Sequence, residues 1–125
     1  MDTETNSLDP HQAELVGISL SSKIGKACYI PLGHKSEKNI NKNLVLNKLK
    51  PLLEDPSVKK IGQNIKFDFI VFFKQGIELT AMEDTMLMSY VLDAGKNRHN
   101  MNTLSEIHLD HKTIAFKDLV GTGKK

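Results

Sequence analysis

The sequence predicts an α/β domain in which a mixed sheet is flanked by helices. Two observations support this fold class: a pair of hairpin-like strands lies early in the chain, and helical patterns alternate with short apolar segments after it. The 125 residues have room for one domain, which we expect to span residues 1–125. The composition, 39% hydrophobic and 26% charged, excludes a disordered or fibrous chain.

The first elements are predicted to form a hairpin. Residues 13–21 alternate loosely between apolar and polar side chains, as in a half-buried strand, and residues 26–32 form its partner. Ser22 to Gly25 is the turn between them. Pro31 marks the end or the edge of the second strand, because it has no N–H for the ladder. Residues 33–42 are polar and without periodicity, which predicts a loop.

Helices and short strands are predicted to follow. One helix begins near Asn41 or Asn43, either of which is a suitable cap, and Pro51 is expected to kink it or to begin a separate last turn. Its apolar face consists of Leu44, Val45, Leu49, Leu52 and Leu53. The later pattern predicts short strands at 58–61 and 77–79 and helices at 64–75, 85–92 and 102–109. Gly76 is expected to end the helix at 64–75, and Asp84 is expected to cap the helix at 85–92.

Several features bear on the cellular location. No apolar run approaches the ~20 residues of a membrane-spanning helix. The acidic, polar start Met1 to Thr5 is unlike a secretory signal. Cys28 is the single cysteine, so no internal disulfide is expected, and we predict that it is a small buried residue in its strand. We therefore expect a cytoplasmic protein without membrane association.

The charge is distributed unevenly along the chain. The net charge of +2 is too mild to indicate a nucleic-acid binder by itself. Between residues 23 and 60, however, lysines are frequent: Lys23, Lys26, Lys35, Lys38, Lys42, Lys48, Lys50, Lys59 and Lys60. Such spacing is typical of solvated faces and loops. The alternative is a basic rim that steers a phosphate backbone toward an acidic site.

The predicted helix at 64–75 contains a carboxylate that its apolar surroundings do not explain. Ile65, Phe69, Phe72 and Phe73 form a continuous apolar face, which predicts a largely buried helix. Asp68 lies within it, and a buried carboxylate is costly unless it is hydrogen-bonded, paired or bound to metal. Two interpretations remain open: a satisfied contact with a lysine or the backbone, or a carboxylate that faces a cleft.

A second acidic group lies at the start of the chain. Asp2 and Glu4 are two residues apart, so on an extended segment they point to the same side and can reach one hard cation. The Asp-x-Glu pattern alone is weak, because roughly every second chain of this length contains one by chance. Together with Asp68, the three carboxylates would suit Mg²⁺ or Mn²⁺, which prefer oxygen ligands.

Three other patterns are rejected as sites. His108 and His111 could share a zinc ion, but no second cluster completes a four-ligand set in the sequence. Cys28 has no evident histidine partner. The segment 121–125 looks like part of a phosphate-binding loop but lacks the helix that follows such loops.

The chain resembles the proofreading 3′-5′ exonuclease domain of bacterial family A DNA polymerases, the DNA polymerase I type. The residues that carry this resemblance are Asp2-Thr3-Glu4-Thr5 with Leu8, Gly62 to Asp68, and Asp84 to Leu87. Supporting segments are Tyr29 to Pro31, Leu49 to Asp55, Gly76 to Leu79, Arg98-His99 and His111 to Ile114. The segments occur in the same order over almost the whole chain, which is more specific than any single motif.

The resemblance implies a ribonuclease H-like fold and membership of the DEDD exonucleases. Asp2 and Glu4 match the first motif, and Asn64 with Asp68 matches the second. By resemblance, Asp2 would bridge two divalent ions, Glu4 would help to hold the first, and Asp68 would help to hold the second through its waters. This is the two-metal scheme of phosphodiester hydrolysis. Residues that would line the groove for a single-stranded 3′ DNA end are Leu8, Gln63, Asn64, Phe67 and Arg98.

Two departures from the family qualify this expectation. The family's third motif, a Tyr followed four residues later by Asp, has no match, since Tyr90 and Asp93 are three apart and lie in the wrong region. Only Met1 precedes Asp2, where the family has a strand of several apolar residues. We therefore expect a ribonuclease H-like sheet that is incomplete at both ends, in a piece of a larger protein.

The resulting primary hypothesis is a metal-dependent 3′-5′ exonuclease module for proofreading in DNA replication and repair. We expect the chain alone to be a poor or inactive exonuclease that binds single-stranded DNA weakly and in a salt-sensitive manner. The alternative is a non-catalytic remnant that binds nucleic acid or associates with another copy through uncovered strand edges.

Overall fold

A computed structural model of the chain describes residues 1–35, 38–114 and 118–119. The chain divides into two compact units, residues 1–85 and residues 86–125. The rejected phosphate-loop pattern at 121–125 lies outside the described residues.

The first unit opens with an antiparallel meander of three strands. Strand β1 spans Asp2–Thr5, β2 spans Leu15–Lys23 and β3 spans Lys26–Pro31, in the spatial order β1-β2-β3. The predicted hairpin is confirmed, with its turn at Gly25, whose φ of 77° suits glycine. Cys28, however, is exposed, so its predicted burial is wrong. Cys28 lies opposite Leu20 on the core-facing side of the hairpin, but it lines an open groove there, and alternation in the sequence does not show how far a face is covered.

Helix α1 spans Lys42–Glu54 and packs Leu46 and Leu53 into the core. The side chain of Asn41 caps it by accepting the N–H of Leu44 at 3.0 Å, which confirms one of the two predicted caps. The helix continues through Pro51, so the expected separate last turn is wrong. Burial of Leu53, which is 1% exposed, holds the last turn in place although proline cannot donate a backbone hydrogen bond.

Two short parallel strands follow, β4 at Lys60–Gly62 and β5 at Met82–Asp84. The strand predicted at 77–79 is wrong. Ile77 and Leu79 are buried in a segment without strand pairing, and their apolar character reflects this burial. The actual strand β5 contains too few apolar residues to carry a strand pattern.

Helix α2 spans Ile65–Lys74, between β4 and β5 in the chain. It ends before Gly76, which has a φ of 79°, as the sequence predicts. Val71 and Phe72 are buried, whereas Phe73 is exposed and stacks on Phe69 with ring centroids 6.0 Å apart. The predicted continuous buried face is therefore wrong at Phe73, because the helix lies against the core on one side only.

Among the described residues the five strands form two sheets, one antiparallel and one parallel, in place of one continuous ladder. A hydrogen bond joins their ends: the amino group of Met1 donates to the carbonyl oxygen of Ile61 in β4 at 2.7 Å. The core between the sheets and helices consists of Ala13, Leu15, Ile18, Leu32, Leu46, Leu53, Val71, Phe72, Ile77 and Leu79.

Helix α3, Thr85–Asp93, leads into the second unit, and α4 spans Met101–Leu109. Both predicted helices are confirmed. The side chain of Asn100 caps α4 by accepting the N–H of Thr103 at 2.8 Å. Among the helices in the described part of the chain, none combines the length and apolar character needed to cross a membrane.

Candidate active site at strand β1 and helix α2

Strand β1 presents two different faces because side chains alternate along a strand. Asp2 and Glu4 are exposed, whereas Thr3 between them is 8% exposed. The sequence predicts no strand here, but the segment is extended and pairs with β2, which is the conformation in which Asp2 and Glu4 share a side. Its two carboxylates therefore lie on the open face, and the threonine faces the interior.

Helix α2 brings Asp68 to the buried face of β1. Asp68 Oδ1 accepts the backbone N–H of Thr3 at 2.9 Å and also the Thr3 hydroxyl. The Asp68 side chain is only 2% exposed. Of the two interpretations that the sequence left open, the satisfied contact with the backbone is present. It links two acidic segments that lie 65 residues apart in the chain.

Burial gives Asp68 unusual acid–base properties. Its pKa is raised from 3.8 to about 6: loss of hydration is the main cause, the hydrogen bonds from Thr3 oppose the rise, and the nearby charge of Asp2 adds to it. A carboxyl group held in this way changes between its charged and neutral forms near pH 6.

The open face is also electrostatically unfavourable for negative charge. Desolvation raises the pKa of Asp2, and desolvation together with the charge of Asp2 raises that of Glu4. Asp2 thus interacts with both Glu4 and Asp68. Across the described residues, no three or more histidine, cysteine or acidic side chains are placed as a ready-made metal site. Metal ligation by these three carboxylates therefore stays a prediction.

The start of α2 is held by the end of β5. The carboxylate of Asp84 accepts the backbone N–H groups of Asn64 and Ile65, each at 3.0 Å. Asn64 adopts a left-handed conformation, with φ 55° and ψ 47°, and its side chain makes no capping bond. The Thr85 hydroxyl donates to Gln63 Oε1 at 2.5 Å. The sequence placed Asp84 at the start of α3 and missed this role, because the bonds cross about 20 residues.

The residues predicted to line the DNA groove lie in different parts of the chain and differ in exposure. Leu8 follows β1 in a loop and is 97% exposed. Phe67 is half-buried against the core, and Gln63 and Asn64 precede α2. Arg98 is exposed in the second unit, between α3 and α4. A nucleic-acid contact by any of them stays a prediction.

Two further side chains lie beside the acidic pair, and the sequence reasoning missed both. The Tyr29 hydroxyl forms a hydrogen bond with His34 Nε2. The charge of Glu4 raises the pKa of Tyr29 in addition to desolvation, and His34 opposes the rise in the Glu4 pKa. The one available signal was Gly17, a glycine inside a predicted strand, which often marks a close approach.

Comparisons with known proteins show the family of the chain. A family model described as 3′-5′ exonuclease matches residues 1–125. DNA polymerase I of Rhizobium leguminosarum is 45% identical over 144 residues that include 98% of this chain. The chain spans 14% of the length of that relative.

Solved structures show the same fold. Brucella melitensis NrnC bound to pGG matches with a TM-score of 0.73 and 27% identity, covering 91% of this chain and 53% of NrnC. NrnC with bound Mg²⁺ matches with a TM-score of 0.73 and 26% identity, covering 99% of this chain and 59% of NrnC.

An acidic strand packed on a helix that carries a buried carboxylate, in a fold shared with NrnC, defines the nuclease class of α/β proteins. The expected α/β, ribonuclease H-like class is confirmed. The chain belongs to the 3′-5′ exonuclease family found within DNA polymerase I.

Proposed function

We propose that the chain is a 3′-5′ exonuclease module that removes nucleotides from single-stranded 3′ DNA ends, in proofreading during replication and repair in the cytoplasm. One observation carries the proposal: the bonds from Thr3 to Asp68 join the first acidic motif to the second. The family match over residues 1–125 supports the reaction type.

The donor chemistry suits hard divalent cations. Asp2, Glu4 and Asp68 offer only oxygen ligands, and desolvation raises the pKa of each, so a bound cation would favour their charged forms. These residues would hold two Mg²⁺ or Mn²⁺ ions, a proposal supported by the Mg²⁺ bound to NrnC. Such ions lower the pKa of a water nucleophile and stabilise the departing 3′ oxygen. Thr3 contributes by fixing the position of Asp68 beside the first acidic motif.

Substrate binding would use side chains around β1 and α2. Leu8 and Phe67 would supply apolar surface for wedging and stacking, and Gln63 and Asn64 would supply polar donors. Arg98 belongs to the second unit and is proposed as a further contact on the family resemblance alone. Stacking and backbone contacts do not depend on base identity, which suits an enzyme that removes any nucleotide. The pGG bound to NrnC supports a nucleic-acid substrate.

We expect residues 1–125 alone to hydrolyse DNA slowly. No Tyr in the sequence is followed four residues later by Asp, so the family's third motif is not among these residues. The first ion would then have only Asp2 and Glu4 as protein ligands, and no matched tyrosine would orient the nucleophile. Loss of positioning and of metal activation costs orders of magnitude in rate.

Two assays of the purified chain test the proposal. Fluorescence anisotropy with a short single-stranded oligonucleotide should show binding that weakens as salt rises. A 3′-labelled strand with Mg²⁺ or Mn²⁺ should be degraded slowly from its 3′ end, and Asp68→Asn should abolish this. Absence of binding at low salt would contradict the proposal. Rapid turnover that depends on Asp68 would show that the third motif is dispensable.

A second candidate, self-association of a non-catalytic chain, is favoured by an open groove in the first unit. The groove encloses about 840 Å³ and is lined mainly by the β2–β3 hairpin, α1 and β4. Strand β2 is longer than β1, so along the edge of β2 that faces β1 the residues Ser21 to Lys23 have no ladder partner among the described residues. Such an edge can pair with a strand of another copy. Sedimentation velocity over a range of concentrations tests this, since a monomer at all concentrations would exclude it.

A further inference from the structure

Tyr29 and His34 form a pair on the open face of the three-stranded sheet. The ladder places Glu4 opposite Gly17, Asp2 opposite Ser19 and Ser19 opposite Tyr29. Residues opposite each other in a ladder point to the same face of the sheet. Tyr29 therefore shares its face with both carboxylates of the first motif.

Gly17 allows the Tyr29 ring to lie across β2 toward Glu4. A Cβ added to Gly17 would lie 1.9 Å from the Tyr29 hydroxyl oxygen and 2.3 Å from Cζ. The tyrosine thus lies directly over a glycine whose ladder partner is Glu4. The interaction of Tyr29 and His34 with the charge of Glu4 agrees with this placement.

The backbone of His34 is held by the side chain of Asn39. Its backbone N–H donates to Asn39 Oδ1 at 2.8 Å, and Asn39 Nδ2 donates to the His34 carbonyl at 2.8 Å. The two rings meet edge to face, with centroids 5.5 Å apart and an interplanar angle of 64°. The pair is therefore held in place while Tyr29 stays 43% exposed.

Whichever side chain donates in the bond between Tyr29 and His34, the pair keeps one further hydrogen-bond donor. If His34 Nε2–H donates to Tyr29, the phenolic O–H can donate elsewhere. If the tyrosine donates to Nε2, the neutral imidazole carries its proton on Nδ1. The two carboxylates alone would repel an anion, but divalent ions bound to them would attract one. A fixed, partly exposed donor beside them could then donate a hydrogen bond to an anionic ligand such as a phosphate group.

We propose that Tyr29 is a substrate-contacting residue, whose hydroxyl donates to a phosphate oxygen of the nucleic-acid strand, and that His34 and Gly17 are positioning residues for it. This inference rests on the proposed function and deepens it, because it assigns a phosphate contact to β3. If the contact between Tyr29 and His34 were purely structural, its geometry would be the same, but the effect of a Tyr29 substitution on binding would not depend on the charge of the phosphate.

A cycle of variants and substrates separates these two roles. The affinity of the chain for a single-stranded oligonucleotide is measured in Mg²⁺, within a time too short for the slow hydrolysis, with a normal 3′-terminal linkage or with an uncharged methylphosphonate at that linkage. Tyr29→Phe should bind the normal strand about tenfold more weakly than wild type, as for the loss of one hydrogen bond to a charged group. With the methylphosphonate strand, the two proteins should bind equally.

Matched variants provide the controls. Tyr90→Phe alters the second tyrosine, whose ring contacts His99 at a centroid distance of 3.9 Å, and should leave the affinity unchanged. Gly17→Ala should displace the Tyr29 ring and reproduce the loss caused by Tyr29→Phe, and thermal melting reports whether each variant is folded. No binding by wild type would overturn both the proposed function and this inference. Wild-type binding that Tyr29→Phe weakens no more than Tyr90→Phe, or weakens equally for both strands, would overturn the inference alone.

Discussion

The two faces of strand β1 differ in how their polar groups are held. On the buried face, Thr3 and Asp68 satisfy each other through two hydrogen bonds in a setting that excludes water. On the open face, Asp2 and Glu4 are exposed and lie near Tyr29. The difference indicates a division of roles. The buried face fixes the position of one carboxylate, and the open face remains accessible to cations and substrate.

The largest expected effect concerns the buried charge of Asp68. Its pKa is raised from 3.8 to about 6, so the folded state holds this proton more tightly than the unfolded state. The contribution of Asp68 to stability should therefore be greatest at acid pH and fall as the pH rises from about 4 to 6, by up to ~3 kcal/mol. Asp68→Asn removes the charge and should be more stable than wild type at pH 7.5 in EDTA. Urea unfolding of both proteins at pH 4.5 and 7.5 measures this, and equal pH dependence would contradict it.

The next largest effect is expected at Asp84, which lies at the end of β5 and binds the backbone at the start of α2. Asp84→Ala would leave the N–H groups of Asn64 and Ile65 without their acceptor and should lower the free energy of unfolding by about 2 kcal/mol. Asp55 is the matched control, since it also accepts a backbone N–H, from Ser57 at 2.8 Å, but at an exposed site. Asp55→Ala should cost less than half as much in denaturant unfolding, and a similar loss in both variants would show that burial is unimportant here.

Thr3 tests the bond between the two motifs. Thr3→Val keeps the shape and the backbone N–H but removes the hydroxyl donor, so it should cost about 1 kcal/mol. Thr3→Ser keeps the hydroxyl and should restore part of this loss. NMR titration of the Asp68 carboxyl should show a higher pKa in Thr3→Val, because a bond to the charged form is lost. An unchanged pKa would show that the backbone bond alone holds Asp68.

The smallest expected effect lies on the open face. Glu4→Gln removes an exposed carboxylate that interacts unfavourably with Asp2, so stability should change by less than about 0.5 kcal/mol. Thermal melting in EDTA is sufficient to measure it. A loss as large as that in Thr3→Val would mean that the two faces of β1 do not differ as described.

The parts that the sequence predicted are those with a local pattern. Alternation indicated β2 and β3, and periodicity indicated the helices, whereas β5 at Met82–Asp84 is too short and polar for such a pattern. Asp68 was found as a carboxylate inside an apolar helix and Asp2 by its spacing from Glu4, and the order of the motifs along the chain then connected them.

The bonds that connect those residues were not predictable. The pairing of Thr3 with Asp68 depends on how α2 packs against β1, and the position of Tyr29 over Gly17 depends on strand register. These contacts bring together residues far apart in sequence, for which a single sequence carries no local signal.

Isothermal titration with Mn²⁺ tests the central claim most directly, namely that the first and second acidic motifs form one metal site. Wild type, Asp2→Asn, Asp68→Asn and the control Asp55→Asn are titrated at pH 7.5, with folding verified by melting. We expect Asp2→Asn and Asp68→Asn each to weaken Mn²⁺ binding at least tenfold, on the order of the loss caused by removing a residue that supports a metal site. Asp55→Asn should match wild type. Wild-type affinity in Asp68→Asn, or no Mn²⁺ binding by any of the four proteins, would contradict the claim.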